Sequence, residues 1–111
     1  MSWQVVYFES TRGEKYVKKF IDAQEMSVKA RIAAMISFME KYGPFLAGKY
    51  TKKLRRHLYE LRITGKKQIR VLYTVQKKDI ILLHAFQKKT PKTPSKEIKT
   101  ASLRLDRISH L

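Results

Sequence analysis

The spacing of apolar positions changes character three times along the chain. Trp3, Val5, Val6, Tyr7 and Phe8 form a β-branched and aromatic run closed by Ser10-Thr11-Arg12-Gly13, which predicts a first strand and its exit turn. Val17, Phe20 and Ile21 then recur at helical spacing within 14–24. Val28, Ile32, Met35, Met39 and Tyr42 follow at intervals of 4, 3, 4 and 3. Two consecutive amphipathic helices are expected, with Ser27 as the N-cap of the second. Gly43-Pro44 stops it, because Gly accepts a left-handed C-cap and Pro cannot continue the turn. The methionine stripe reads as core, the usual role of apolar residues at this spacing in a small domain.

From Leu54 onward the period falls to two. Tyr59, Leu61 and Ile63 alternate with Glu60 and Arg62, and Ile69, Val71, Tyr73 and Val75 alternate with Arg70, Leu72 and Thr74. Thr64-Gly-Lys-Lys-Gln68 has the Gly of a short hairpin loop, and Gln76-Lys-Lys-Asp79 suits a second tight turn. Residues 80–86 are apolar on both alternations, as expected of a central strand covered on both faces that also pairs with the first strand. After the basic, proline-stiffened segment 87–94, Thr93 is expected to cap a helix with Pro94 at its first position and Glu97 in its first turn. Ile98, Ala101, Leu105 and Ile108 mark that helix's apolar face. The predicted order is β-α-α-β-β-β-α, an α+β fold with a helical hairpin on a small, mostly antiparallel sheet and a C-terminal helix.

Composition narrows the picture. A chain of 111 residues forms one domain, 1–111, because two cores would leave each unit too small to be stable unaided. Its 43% hydrophobic content supports folding despite 31% charged residues. No apolar run approaches the roughly 18 residues of a membrane span, and Met-Ser-Trp-Gln-Val lacks the layout of a signal peptide, so a cytoplasmic location without membrane contact is expected. The absence of Cys removes disulfides and thiolate catalysis and makes structural zinc improbable; no metal or cofactor is expected.

Charge distribution points to a partner. Residues 1–48 hold seven Lys/Arg against five Asp/Glu, whereas 49–111 hold eighteen against four, so nearly all of the +16 net charge belongs to the second half. A solubilising surface would intersperse both signs along the chain; this segregation favours a polyanion.

The strings Leu58-Tyr-Glu-Leu-Arg62, Ile69-Arg-Val-Leu-Tyr73 and Ile80-Ile-Leu-Leu-His-Ala-Phe-Gln-Lys-Lys-Thr-Pro-Lys-Thr-Pro94 resemble the RelE/ParE toxin superfamily, and within it the phage-derived HigB-like branch. The resemblance implies a RelE-like fold and metal-free cleavage of messenger RNA on the ribosome. It also implies a cognate antitoxin encoded beside the toxin, a helix-turn-helix protein. ParE-like relatives share the fold and act on DNA gyrase without cutting RNA, so fold alone leaves that target open, as it does a non-toxic RNA- or DNA-binding module. The basic second half favours ribosomal and messenger RNA over a protein target.

Metal-free cleavage needs a base near the 2′-OH, cations at the phosphorane oxygens and a donor to the leaving 5′-oxygen. By alternation Arg62 and Arg70 share the face opposite Tyr59, Leu61, Val71 and Tyr73. Arg70 matches the Arg of the family's strand motif, whose implied role is phosphate stabilisation, and its planar fork suits that role. Lys89, with Lys88 and Lys92, stands where the resemblance places a phosphate clamp. His57 is a candidate acid or base, beside the RNA- or ribosome-binding candidates Lys52, Lys53, Arg55 and Arg56. Lys66 and Lys67 extend that set. His84 reads as a satisfied core or sheet-face residue, Glu60 as a cross-strand ion-pair partner of a neighbouring Arg in preference to a base beside Arg62, and His110 as inert. The chain departs from RelE itself in having Leu58 and Glu60 where RelE has lysines, and in having no Tyr in its last helix.

Overall fold

The computed structural model describes residues 2–108. His110 lies outside them. The order is β1 (Gln4–Tyr7), α1 (Tyr16–Asp22), α2 (Met26–Tyr42), β2 (Thr51–Arg55), β3 (Leu58–Ile63), β4 (Ile69–Gln76), β5 (Asp79–Gln87) and α3 (Ser95–Arg107). One five-stranded sheet runs β1-β5-β4-β3-β2. Strands β2 to β5 form an antiparallel meander, and β1 joins β5 in parallel through Gln4↔Asp79 to Tyr7↔Leu82. The expected α+β arrangement is therefore present, with one strand more than the spacing predicted. Segment 51–55 has no clean alternation because it is an edge strand, half-buried only at Thr51 and Leu54.

Two apolar layers hold the sheet. On one face, Val28, Ile32, Met35 and Met39 of α2 and Val17 of α1 meet Leu61, Ile63, Val71, Tyr73, Ile80 and Leu82. On the other, Leu58, Leu72, Ile81, Leu83 and Phe86 lie under Ala101, with Ile98 and Leu105 of α3 packed against them. Each fully buried aliphatic side chain here contributes about 1.5–3 kcal/mol.

Several local expectations are corrected. Helix α2 begins at Met26 with Glu25 at the cap position, and Ser27, inside the first turn, donates its hydroxyl to Glu25 Oε1 at 3.2 Å. Tyr42 closes the predicted stripe but is exposed: it sits on the last turn, where its ring meets Phe38 outside the core, at 6.0 Å between centroids. Gly43 ends α2 as predicted, at φ +99°, and a Cβ there would come within 3.2 Å of the Trp3 indole nitrogen. Pro94, and not Thr93, occupies the cap position of α3, because the Thr93 hydroxyl is engaged elsewhere.

Candidate functional site

Strand register builds the site. Arg62 of β3 lies directly opposite Arg70 of β4, which lies opposite Phe86 of β5. Lys52 of β2 stands opposite Glu60 of β3. Paired residues of an antiparallel ladder share a face, so Lys52, Glu60, Arg62 and Arg70 project to the side that α3 covers. Helix α3 shields Leu58 and Leu72 but begins only at Ser95, and beyond its N-terminus the arginines lie beside Lys88, the first residue after β5.

The central guanidinium is the unusual one. Arg70 is 7% exposed; its Nη1 donates to the Ile69 carbonyl at 3.0 Å, while its Nε is buried with no partner. Desolvation lowers its pKa and Arg62 lowers it further, against the pull of Glu60. Lys88 is lowered too, first by desolvation and then by Arg70, Arg62 and Lys52, with Glu60 opposing. Four cations thus act on one another around a single carboxylate. Like charges directly opposite on neighbouring strands repel, so the cluster needs an anion.

Glu60 supplies part of it. It is 1% exposed, with Oε1 accepting from Arg62 Nε at 3.2 Å and Oε2 from the Thr93 hydroxyl. The ion pair runs along β3 to Arg62, two residues on, and not across strands as expected, because the cross-strand position is held by Leu72; the contact from Thr93 was not anticipated. It ties the loop of residues 88–94, with Lys88, Lys89 and Lys92, down onto the sheet, and within that loop Thr90 Oγ1 donates to the Lys92 carbonyl at 2.7 Å. With both oxygens engaged, Glu60 acts as a structural counter-charge. Lys89 and Lys92 are exposed.

The remaining candidates fall elsewhere. His57 occupies the β2–β3 turn with Arg56, at φ +61°, and precedes Arg62 by five residues, a strand distance of roughly 16 Å. Arg55 faces a groove of about 480 Å³ with Ser95, Lys96, Lys99, Ser102 and Leu103, so α3 carries basic residues that strand reasoning did not include. Lys53 pairs with Tyr59 and so projects to the face opposite Lys52. Lys66 pairs with Glu25 at 3.0 Å, and Lys67 adjoins it near Ser27 and Arg31 at the start of α2. A cleft of about 510 Å³ lies between segment 8–16 and the C-terminal half of α3, away from Arg70.

His84 is the satisfied sheet residue its setting suggested. Its Nε2 lies 2.6 Å from Glu97 Oε1, its Nδ1 lies 3.2 Å from Arg104 Nη1, and its ring stacks on Phe86. Because Arg104 can only donate, Nδ1 is the acceptor and Nε2 carries the proton given to Glu97. Burial, followed by Arg104, holds its pKa below the ordinary value, with Glu97 opposing.

Among the described residues no three His, Asp or Glu side chains gather as a metal site, and no helix is long and apolar enough to cross a membrane. Residues 19–106 match the family model described as phage derived protein Gp49-like (DUF891). No curated protein matches the chain.

Proposed function

Because the chain belongs to the phage-derived Gp49-like family, which is related to the RelE/ParE-like toxins of toxin–antitoxin systems, we propose that it is the toxin of such a pair, of the HigB-like kind, cutting messenger RNA on the ribosome. The observation that carries this reading is Arg70: a buried guanidinium with an unsatisfied Nε, opposite Arg62 and beside Lys88. A bridging phosphate would satisfy the donor and relieve the repulsion together, and a phosphorane, with more charge on its equatorial oxygens, would do so better.

In this mechanism the RNA supplies the nucleophile. The 2′-oxygen bonds to the adjacent phosphorus as its proton leaves to a base, the bond to the 5′-oxygen breaks, and that oxygen takes up a proton. A 2′,3′-cyclic phosphate and a 5′-hydroxyl end result. Arg70 and Arg62 hold the non-bridging oxygens. Lys88, with its pKa lowered, is the cation in the cluster readiest to yield a proton, which suits it to the leaving oxygen. Lys89 and Lys92 would steer and clamp the backbone from the tethered loop. Lys52, Arg55 and Arg56 would contact ribosomal or messenger RNA along the same side, and the antitoxin would be the protein partner.

The test is brief induction in growing bacteria, with mapping of transcript 5′-ends. New ends inside translated regions are expected, absent with Arg70→Ala. Intact messages accompanied by DNA damage would overturn this reading in favour of a gyrase inhibitor. Purified protein with magnesium-stabilised ribosomes should also cut in the presence of a chelator selective for transition metals.

A further inference from the structure

The outer border of the sheet carries a second surface, whose outward backbone groups and Lys53 the cleavage chemistry does not use. Strand β2 is terminal and pairs only with β3, and α3 reaches only its Leu54–Arg55 end, whereas the opposite terminal strand, β1, is flanked by α1 and α2. The Arg62 N–H donates to the Tyr50 carbonyl at 2.8 Å, and the register continues Thr51↔Leu61, Lys52↔Glu60, Lys53↔Tyr59. Antiparallel pairs alternate between bonded and non-bonded positions. The Tyr50 carbonyl and the backbone groups of Lys52 therefore turn toward β3, the Tyr50 N–H donating instead to the Ala47 carbonyl, and the backbone groups of Thr51 and Lys53 turn outward, where no described residue bonds them. Such an open row of donors and acceptors is a template for another strand.

Its chemistry selects what can be added. β2 contains Lys52, Lys53 and Arg55 and no acid, so a second copy laid alongside would set like charges against each other. Nucleic-acid phosphates accept hydrogen bonds but cannot donate them; they would serve the outward N–H groups and leave the outward carbonyls opposed. A peptide strand answers both. Next to this edge two aromatic side chains are open to solvent, Phe45 at 59% and Tyr50 at 39% exposed. Phe45 sits edge-on to Tyr59 at 4.9 Å, and Tyr59 is the register partner of Lys53, so the apolar patch reaches the strand's outward-bonding positions. Patches of this kind mark sites of protein association.

We infer that the β2 edge and its neighbouring aromatic side chains dock an extended, acidic segment of a partner protein as a sixth strand. Acidic side chains would meet Lys52, Lys53 and Arg55, and apolar ones would meet Phe45 and Tyr50. That the owner of this segment is the antitoxin rests on the toxin reading above; the surface itself does not.

The probe is a synthetic peptide alternating Glu with Val and Ile, titrated into the isotope-labelled full-length protein while backbone amide shifts are followed. The expected result is perturbation at Thr51, Lys53 and Tyr50, with slowed exchange of the outward amides. N-methylating alternate peptide residues, which blocks strand pairing without touching the protein, should weaken binding roughly tenfold or more. Lys53→Pro, which removes an outward N–H and one of the cations while leaving the Lys52–Glu60 pairing to β3, should do the same. The inference is overturned if the methylated peptide binds equally well, if shifts gather around Arg70, if single-stranded oligouridylate and not the peptide moves the β2 amides, or if the protein dimerises through β2. Peptide binding is read without ribosomes or transcripts, so it can fail while new transcript ends still appear, and transcript cleavage can fail while the peptide still binds; the two readings fail separately.

Discussion

The two faces of the sheet are built to opposite rules. Under α1 and α2 the contacts are aliphatic and aromatic, and the buried hydroxyl of Tyr73 is satisfied by donation to the Pro44 carbonyl. Under and beside α3 the same strands present Glu60, Arg70 and His84 among the apolar residues, joined by Arg104 and Glu97 from the helix. The first face is arranged for stability. The second holds charge out of water, which is costly unless each group is paired, and at Arg70 the pairing is left incomplete. A side chain kept in that condition is available to a ligand.

The contrast can be broken most sharply at Arg70. Arg70→Ala should lower transcript cleavage by about 10²–10³-fold, the usual loss of a preorganised charge-stabilising donor. The melting temperature should hold or rise, since an unpaired buried charge leaves with it. Met39→Ala on the other face should do the reverse, removing about 2–5 kcal/mol from the urea-unfolding free energy while the folded fraction still cleaves RNA. A fall in stability with Arg70→Ala to match that of Met39→Ala would erase the distinction.

Smaller effects sharpen it. Glu60→Gln keeps the shape but removes the carboxylate's charge from among four cations, and should cost about 1–3 kcal/mol by the same measurement. Thr93→Val should cost about 1 kcal/mol, but its clearer signature is faster amide exchange across residues 88–94. The smallest effect is with pH. An unfolded His titrates near its ordinary 6.5, whereas folded His84 titrates lower, because it is buried and faces Arg104. Its contribution is therefore complete above 6.5 and is lost as the pH falls through the folded value. Thermal melts should show the decline, and His84→Gln should flatten it.

Alternation made the main site feature legible, because Arg62 and Arg70 are each flanked by inward-facing apolar neighbours whose period fixes the face. The helical hairpin and the two-residue turn at Lys77-Lys78 were legible for the same local reason. Strand β2 was not, since an edge strand crowded with lysines leaves no apolar period to read. Nor was the bond from Thr93 to Glu60, which spans 33 residues: a Thr before Pro carries the local signal of a helix cap, and tertiary contact overrides it. The Arg55 groove depends on where α3 crosses the hairpin, which no single segment encodes.

The parallel pairing of β1 with β5 also governs the order in which the fold can be assembled. The meander closes through turns of two to five residues, and each turn can form as soon as its own strands exist. β1 is the first strand made, yet its partner is the last, beginning at Asp79, so it remains an unpaired apolar ribbon until most of the chain is present. Long-range closure of this kind is slow relative to hairpins. The tether from Thr93 and the cover from α3 come later still. A chain released early would therefore carry Arg62 and Arg70 without the loop and helix that enclose them. The site would be completed only with the last fifth of synthesis, and truncation would open it long before it removed the chain's basic charge.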